Sequence, residues 1–174
     1  MANTTGHSNT ALGKSALAAN TTAHANTAVG YGTLLVNTTG EYNVAIGADS
    51  LAANTTASNN VAIGKNALAA NTTGATNTAV GRDALTANTT GADNVAVGNA
   101  AGDSVTNVAV GGGCLQTATA ANNNVGVGYV AGVAVTTGSS NTLLGANAGD
   151  AIQSGSSNIV VGYGSDCAHD AVNN

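Results

Sequence analysis

The chain has 174 residues, of which only 6% are charged and 2% aromatic, and it contains no Pro, Phe or Trp. A hydrophobic content of 43% excludes a disordered chain, and a net charge of −5 lacks the basic surface that nucleic-acid binding requires. No apolar run approaches the ~18 residues of a membrane-spanning helix.

Ten related units follow one another along the chain, and each has Asn at its first position and Gly at its fifth. The units have a 17-residue period throughout, except from Asn94 to Asn107, where the spacing is 13. Repetition at a fixed period is typical of solenoids, so we expect one repeat domain over residues 1–174. The repeat positions are Asn9, Gly13, Asn26, Gly30, Asn43, Gly47, Asn60, Gly64, Asn77, Gly81, Asn94, Gly98, Asn107, Gly111, Asn124, Gly128, Asn141, Gly145, Asn158 and Gly162.

In seven of the ten units, positions 2 to 4 combine β-branched residues or leucine with a central alanine, as in Val61, Ala62 and Ile63. This pattern predicts a short strand in which positions 2 and 4 face one side and position 3 the other. We place the alanine column of position 3 on the outer face. Gly at position 5 predicts a turn, and a second extended stretch would direct the leucine of position 9 inward. The N-T-T segment at positions 12 to 14 closes the coil.

These elements predict an all-β fold, a parallel β-solenoid of ten mostly 17-residue coils stacked about 4.8 Å apart. The Asn of position 1 would form a ladder of side-chain amides along the stack. A single coil cannot offset its ordering entropy, so neighbouring coils must stabilise each other. A flat outer row of alanines would let a second subunit pack closely, and we therefore expect a homo-oligomer, a trimer.

Residues with catalytic chemistry are few, and Asp166, Cys167, His169 and Asp170 form the one cluster of such types. Nothing upstream completes a nucleophilic site, so a terminal turn is the better interpretation and we expect no enzyme. Cys114 lies three coils from Cys167, too far for a disulfide within one chain.

The three histidines, His7, His24 and His169, have no metal-ligand spacing, and no cofactor or metal is expected.

A candidate contact surface follows the glycine turn, at the variable position 6. Its exposed residues would be Tyr31, Lys65, Arg82, Tyr129 and Tyr163, because Tyr and Arg are favoured in interfaces. Ordinary variation of surface residues is the alternative. Stacked threonines at positions 13 and 14 raise ice binding as another function, although only one of the two columns could be flat.

The units NVAIGKNAL, NTAVGRDAL and NVAVGNAA resemble the head repeats of YadA-like trimeric autotransporter adhesins, which also occur in phage tail fibres and other surface fibres. The resemblance covers the whole chain and implies a left-handed parallel β-roll of three chains with an adhesive role. The repeat here is longer than the typical head repeat. The chain also has no coiled-coil stalk, neck, membrane anchor or signal peptide, so a whole autotransporter is not expected.

The sequence thus predicts a non-enzymatic structural protein, located outside the cell or on a virion or cell surface. Neither end carries a polar capping sequence, which indicates either a subunit that stacks coil on coil into a fibre or filament, or a fragment of a longer fibre, and we favour the first. The partners would be the chain itself and, for an adhesive role, a host surface or matrix ligand. The alternatives are a receptor-binding head or tail-fibre domain of a phage or trimeric adhesin, and an ice-binding solenoid.

Overall fold

The computed structural model describes residues 3–102, 107–118 and 120–167, and its regular elements are ten strands of three residues each. No helix occurs in this described part of the chain. Each strand occupies positions 2 to 4 of its unit, where the β-branched residues lie. The strands are β1 (Thr10–Leu12), β2 (Thr27–Val29), β3 (Val44–Ile46), β4 (Val61–Ile63), β5 (Thr78–Val80), β6 (Val95–Val97), β7 (Val108–Val110), β8 (Val125–Val127), β9 (Thr142–Leu144) and β10 (Ile159–Val161).

The ten strands form one parallel sheet in sequence order, from β1 to β10. Equivalent positions face each other throughout, as where Val61 pairs with Thr78 and Ala62 with Ala79. The register survives the shortened unit, because Val95 still pairs with Val108. The shorter spacing therefore removes residues from the connection and not from the strand. The predicted all-β parallel solenoid of ten coils is confirmed.

The interior of the solenoid contains the central residue of each strand, contrary to the outer face predicted for the alanine column. Ala28, Ala45, Ala62 and Ala79 have no exposed surface, whereas the flanking β-branched residues are half-buried or exposed. The prediction was wrong because it assigned the larger apolar residues to the interior. A coil this short encloses so little space that alanines at positions 3 and 8 and the leucine of position 9 fill it.

The leucine of position 9 is buried, as expected, but the segment that carries it consists of turns and not of a second extended stretch. Leu17, Leu34, Leu51, Leu68, Leu85 and Leu115 all have φ between 47° and 52°. Left-handed backbone also recurs at positions 7 and 17, including Asp83 (φ 58°) and Thr76 (φ 60°). Three such residues per coil turn the chain sharply enough to close each coil within a single repeat.

Gly at position 5 is required by the close approach of successive coils as well as by its backbone. These glycines have φ between 118° and 146°, a region that residues with side chains rarely adopt. A Cβ on Gly64 would lie 2.4 Å from the carbonyl oxygen of Gly81 in the next coil. The glycine column therefore permits the backbone stacking that the repeat needs.

The Asn of position 1 forms the predicted ladder. The Oδ1 of Asn43 accepts a hydrogen bond from the backbone N–H of Asn60 at 3.0 Å. In the next coil, the Oδ1 of Asn60 accepts the equivalent bond from the backbone N–H of Asn77 at 2.9 Å. The Nδ2 of Asn60 donates to the carbonyl of Gly74 at 3.0 Å, across its own coil. Each buried amide thus ties together two neighbouring coils and also the two ends of one coil.

A second asparagine ladder runs at position 12, where the sequence predicts only the turn that closes the coil. Nδ2 of Asn71 donates to Oδ1 of Asn54 at 3.3 Å and to the carbonyl of Gly74 at 2.9 Å. The Gly74 carbonyl therefore accepts from both ladders, since Asn60 also donates to it. The asparagines of five N-T-T sequons are buried in this way, at Asn20, Asn37, Asn54, Asn71 and Asn88, so a glycan cannot be attached to them in the folded chain.

The later coils fill the same interior with different residues. Gly132 and Gly149 replace the leucine of position 9, and Val135 and Ile152 replace the asparagine of position 12. A Cβ on Gly132 would lie 2.5 Å from Cδ1 of Leu143 in the following coil. The side chain of Leu143 therefore occupies space that a position 9 leucine would otherwise fill. The interior is therefore filled in these coils too, although the individual positions change.

Candidate functional site

The most extensive candidate surface is the outer face of the ten-stranded sheet, which carries the side chains of positions 2 and 4. Ile46 and Ile63 are each 37% exposed, and exposure rises to 67% at Leu12 and 76% at Ile159 on the edge strands. Apart from threonines at position 2, every side chain on this face is aliphatic. Because parallel sheets are usually covered on both faces, an uncovered apolar face is typical of a surface that binds a partner.

The five residues of the proposed contact surface lie in one column of exposed side chains, immediately after the glycine turns. Lys65 and Arg82 occupy adjacent coils, and Arg82 Nε pairs with Asp83 Oδ2 at 3.1 Å. The tyrosines lie in coils 2, 8 and 10, at Tyr31, Tyr129 and Tyr163. The column therefore brings together two cations, while its aromatic side chains remain separated along the rod.

A groove of about 410 Å³ lies beside this column where glycines replace larger side chains. It is lined by Gly112 and Gly113 together with the polar and aromatic side chains of Asn99, Gln116 and Tyr129. The ring of Tyr129 lies against the backbone of Gly112, 3.5 Å from where a Cβ would be. No charged side chain lines the groove among the described residues.

The cysteine and aspartate near residue 167 make backbone contacts and no nucleophilic pair within the described chain. The Asp166 carboxylate accepts from the N–H groups of Ala151 at 3.1 Å and of Cys167 at 2.9 Å. Burial, and then the charge of Asp166, raises the pKa of the Cys167 thiol, which disfavours the reactive thiolate. His169 and Asp170 lie outside the described residues.

The other cysteine, Cys114, is fully buried at position 8, and burial raises its pKa to about 12. Both cysteines are free thiols. A thiol with so high a pKa stays protonated at neutral pH, so Cys114 packs as a small apolar residue where most coils have alanine.

His7 and His24 are neighbours in the structure, although their separation in the sequence is not one typical of metal ligands. Both occupy position 16, one coil apart, and their rings stack with centroids 4.7 Å apart. His24 Nδ1 lies 3.0 Å from Oε1 of Glu41, which occupies position 16 of the next coil. The sequence signal that would have found this cluster is the repeat period itself, which places the three side chains in one column. Among the described residues, no three His, Cys, Asp or Glu side chains are arranged to hold a metal ion together.

The two threonine columns differ in what their hydroxyl groups do. At position 13, Thr38 Oγ1 donates to the carbonyl of Thr55 at 3.0 Å, and Thr55 Oγ1 donates to that of Thr72 at 3.2 Å. These hydroxyls stabilise the stack itself. The threonines of position 14 are exposed in six successive coils, at Thr5, Thr22, Thr39, Thr56, Thr73 and Thr90.

Comparison of the chain with models of known protein families found no match, and comparisons with curated proteins and with solved structures found none. The described residues contain no helix of the length and apolarity needed to cross a membrane. The surfaces of the solenoid are therefore the basis for a functional proposal.

Proposed function

We propose that this chain is a non-enzymatic structural protein that self-associates through the outer face of its sheet to build an extracellular fibre. The supporting observation is the aliphatic face of positions 2 and 4, which remains half exposed although the interior of the solenoid is already closed. A monomer leaves this face in water, whereas full burial of an aliphatic side chain contributes about 1.5–3 kcal/mol. A second copy matches the face row for row, because its strands repeat at the same spacing.

Three chains around a common axis fit this face better than two chains side by side. Ten strands about 4.8 Å apart and three residues wide give a projected footprint of roughly 480 Å². Stable interfaces bury about 800 Å² of accessible surface per partner, so surfaces beside the sheet must contribute as well as the face itself. In a trimer each chain packs against two others, and the surfaces beside the sheet contribute further area. The resemblance to trimeric adhesin heads supports the same arrangement.

Stacking of coils end to end would extend the fibre along its axis. Among the described strands, β1 and β10 lie at the edges of the sheet, and each pairs with one neighbour. The N–H of position 2 donates to the carbonyl of position 1 in the following coil, as Thr142 does to Asn158 at 2.8 Å. By the same register, the Ile159 N–H is directed away from β9, towards where a further coil would lie. The position 6 column would remain on the outside, available for adhesion to a host surface or matrix ligand.

Substitution on the apolar face tests this proposal. Replacing Ile46 and Ile63 with lysine places two charges on adjacent coils of the face, and we expect the mass of the purified assembly to fall to that of one chain in multi-angle light scattering. Replacing Thr56 and Thr73 with lysine adds the same charges elsewhere on the same coils and should leave the assembly intact. Equal masses for both variants, with unchanged circular dichroism, would rule out this face as the interface.

A receptor-binding head or tail-fibre domain is the related alternative. It shares the trimer but ends in discrete particles, because its coils do not add end to end. Electron microscopy of the purified chain distinguishes it from a filament.

Ice binding is a second candidate function because the position 14 threonines form one exposed column over six coils. A thermal-hysteresis measurement tests it directly, and replacement of Thr56 and Thr73 with lysine should abolish any activity. This outcome is independent of the self-association test.

A further inference from the structure

The exposed column of position 6 changes its chemistry halfway along the rod. All three cations of the chain lie in its first half, in coils 1 to 5, whereas the five residues of coils 6 to 10 are uncharged. We call this second half the neutral column. It consists of Asn99, Gly112, Tyr129, Ala146 and Tyr163.

Large and small residues alternate in the neutral column. Gly112 separates Asn99 from Tyr129, and Ala146 separates Tyr129 from Tyr163, so a long side chain projects from every second coil. Because successive coils lie about 4.8 Å apart, the two tyrosines are about 9.6 Å apart along the axis. Each small residue leaves a recess between its larger neighbours.

Backbone hydrogen bonds between coils fix this spacing. The N–H of Val130 donates to the carbonyl of Gly112 at 2.9 Å, and the N–H of Asn147 donates to that of Tyr129 at 3.0 Å. The neutral column is thus part of the stacked backbone of the solenoid. A ligand that repeats along the same axis would meet a surface that is already ordered, which lowers the entropic cost of binding.

The ring of Tyr129 bounds the recess at Gly112 on one side. Its Cδ2 and Cε2 atoms lie 3.5 and 3.8 Å from where a Cβ on Gly112 would be, which is ordinary van der Waals distance. Tyr129 is nevertheless 68% exposed, and Tyr163, two coils further on, is 83% exposed. Two aromatic rings are therefore available to a ligand that lies along the column.

Two side-chain amides line the same recess. Those of Asn99 and Gln116 have no hydrogen-bond partner among the residues that the structure describes. Oε1 of Gln116 lies 3.6 Å from where a Cβ on Gly113 would be, so this amide lies close to bare backbone. An amide both donates and accepts hydrogen bonds, and so does a hydroxyl group, which makes hydroxyl groups well-matched partners for this recess.

We propose that the neutral column binds an uncharged β-1,4-linked polysaccharide that lies along the solenoid axis. The coil spacing is close to the length of one sugar unit in such a chain. Successive units are turned over, so the same ring face recurs at every second unit, as Tyr129 and Tyr163 recur at every second coil. The apolar faces of two sugars stack on the tyrosines, and the sugar over Gly112 bonds to Asn99 and Gln116. The groove volume of about 410 Å³ is typical of small-molecule sites.

This inference deepens the adhesive role of the proposed function and rests on it for the outward position of the column in the fibre. The recess itself lies within one chain, so a separated chain should bind the same ligand. The variant with Ile46→Lys and Ile63→Lys distinguishes the two claims. Its mass tests the apolar face alone, and its sugar binding tests the neutral column alone.

Isothermal titration calorimetry of the full chain with cellohexaose tests the proposal. We expect binding to weaken about tenfold in Tyr129→Ala, which removes the stacking ring, and in Gly112→Leu, which fills the recess. The backbone of Gly112 is not left-handed, and other coils carry Lys, Tyr or Arg at this position, so Gly112→Leu should fold normally. Circular dichroism checks this. Tyr163→Ala should weaken binding less, because the recess and its amides remain.

Tyr31→Ala is the matched control, since Tyr31 also occupies position 6 but lies in coil 2, between Lys14 and Ala48. Its affinity for cellohexaose should equal that of the wild type. Maltohexaose, whose α-linked chain curves away from a straight axis, should bind more weakly than cellohexaose. The proposal is overturned if the wild type does not bind cellohexaose, if maltohexaose binds equally well, or if Tyr129→Ala loses no more affinity than Tyr31→Ala.

Discussion

At the scale of the residue, the fold depends on side chains that adopt left-handed backbone. The leucines of position 9 do so while buried, and each left-handed residue costs roughly 1–2 kcal/mol. Burial of the leucine offsets this cost inside the solenoid, because a fully buried Leu contributes about 1.5–3 kcal/mol. Exposed residues of position 17 have no such compensation.

Thr76 provides a test of this strain, because it is β-branched and exposed with φ of 60°. Asn tolerates this conformation better, so Thr76→Asn should raise the free energy of unfolding by about 1 kcal/mol. The reverse change is available one coil earlier, where Asn59 has φ of 62°. Asn59→Thr should lower stability by a similar amount in urea denaturation. Equal stability of both variants and the parent would show that the strain is absent.

At the scale of the coil, the two asparagine ladders supply the side-chain hydrogen bonds that close each coil. Asn60 Nδ2 donates to the Gly74 carbonyl, where a carboxylate oxygen would instead repel it. Asn60→Asp should therefore destabilise the chain by at least ~2 kcal/mol at neutral pH.

Acidification should reverse this loss, because the carboxyl introduced by Asn60→Asp can again donate to Gly74 once it is protonated. Burial raises the pKa of such a carboxyl in the folded chain above the ~3.9 of the unfolded chain. The loss of unfolding free energy relative to the parent protein is then complete above the pKa of this carboxyl in the folded chain. The loss becomes smaller as the pH falls through that pKa. Asn60→Ala removes the same bond without a titratable group, so its deficit should not change with pH. A pH-independent deficit for Asn60→Asp would contradict the buried ladder.

The sequence predicted the coil boundaries, the strands, the glycine turns and the position 1 ladder, because each depends on a residue type that recurs at every coil. It did not predict that Ala62 faces inward, since alternation in a three-residue strand gives two faces without saying which is enclosed. The left-handed Leu68 was also missed, because leucine carries no local signal for that backbone. The histidine column required the repeat period to be applied to residues outside the repeated motif.

At the scale of the whole molecule, ten coils form a rod about 48 Å long with one apolar side, and we propose that it grows at the edge strands β1 and β10. Ile159→Pro tests whether growth occurs at the β10 edge. It removes the N–H that is directed away from β9 and leaves the bonds within the chain in place. We expect shorter fibres in negative-stain images, with unchanged circular dichroism and unchanged lateral association. Fibres of the original length would mean that this edge takes no part in growth.

The central claim, that the chain assembles through its apolar sheet face, is tested most directly by cryo-electron microscopy of the purified wild-type protein. We predict rods in which several chains surround a common axis, with the side chains of Ile46 and Ile63 at that axis and a repeat of about 4.8 Å along it. Single-chain particles at every concentration, or rods in which this face remains on the outside, would contradict the claim.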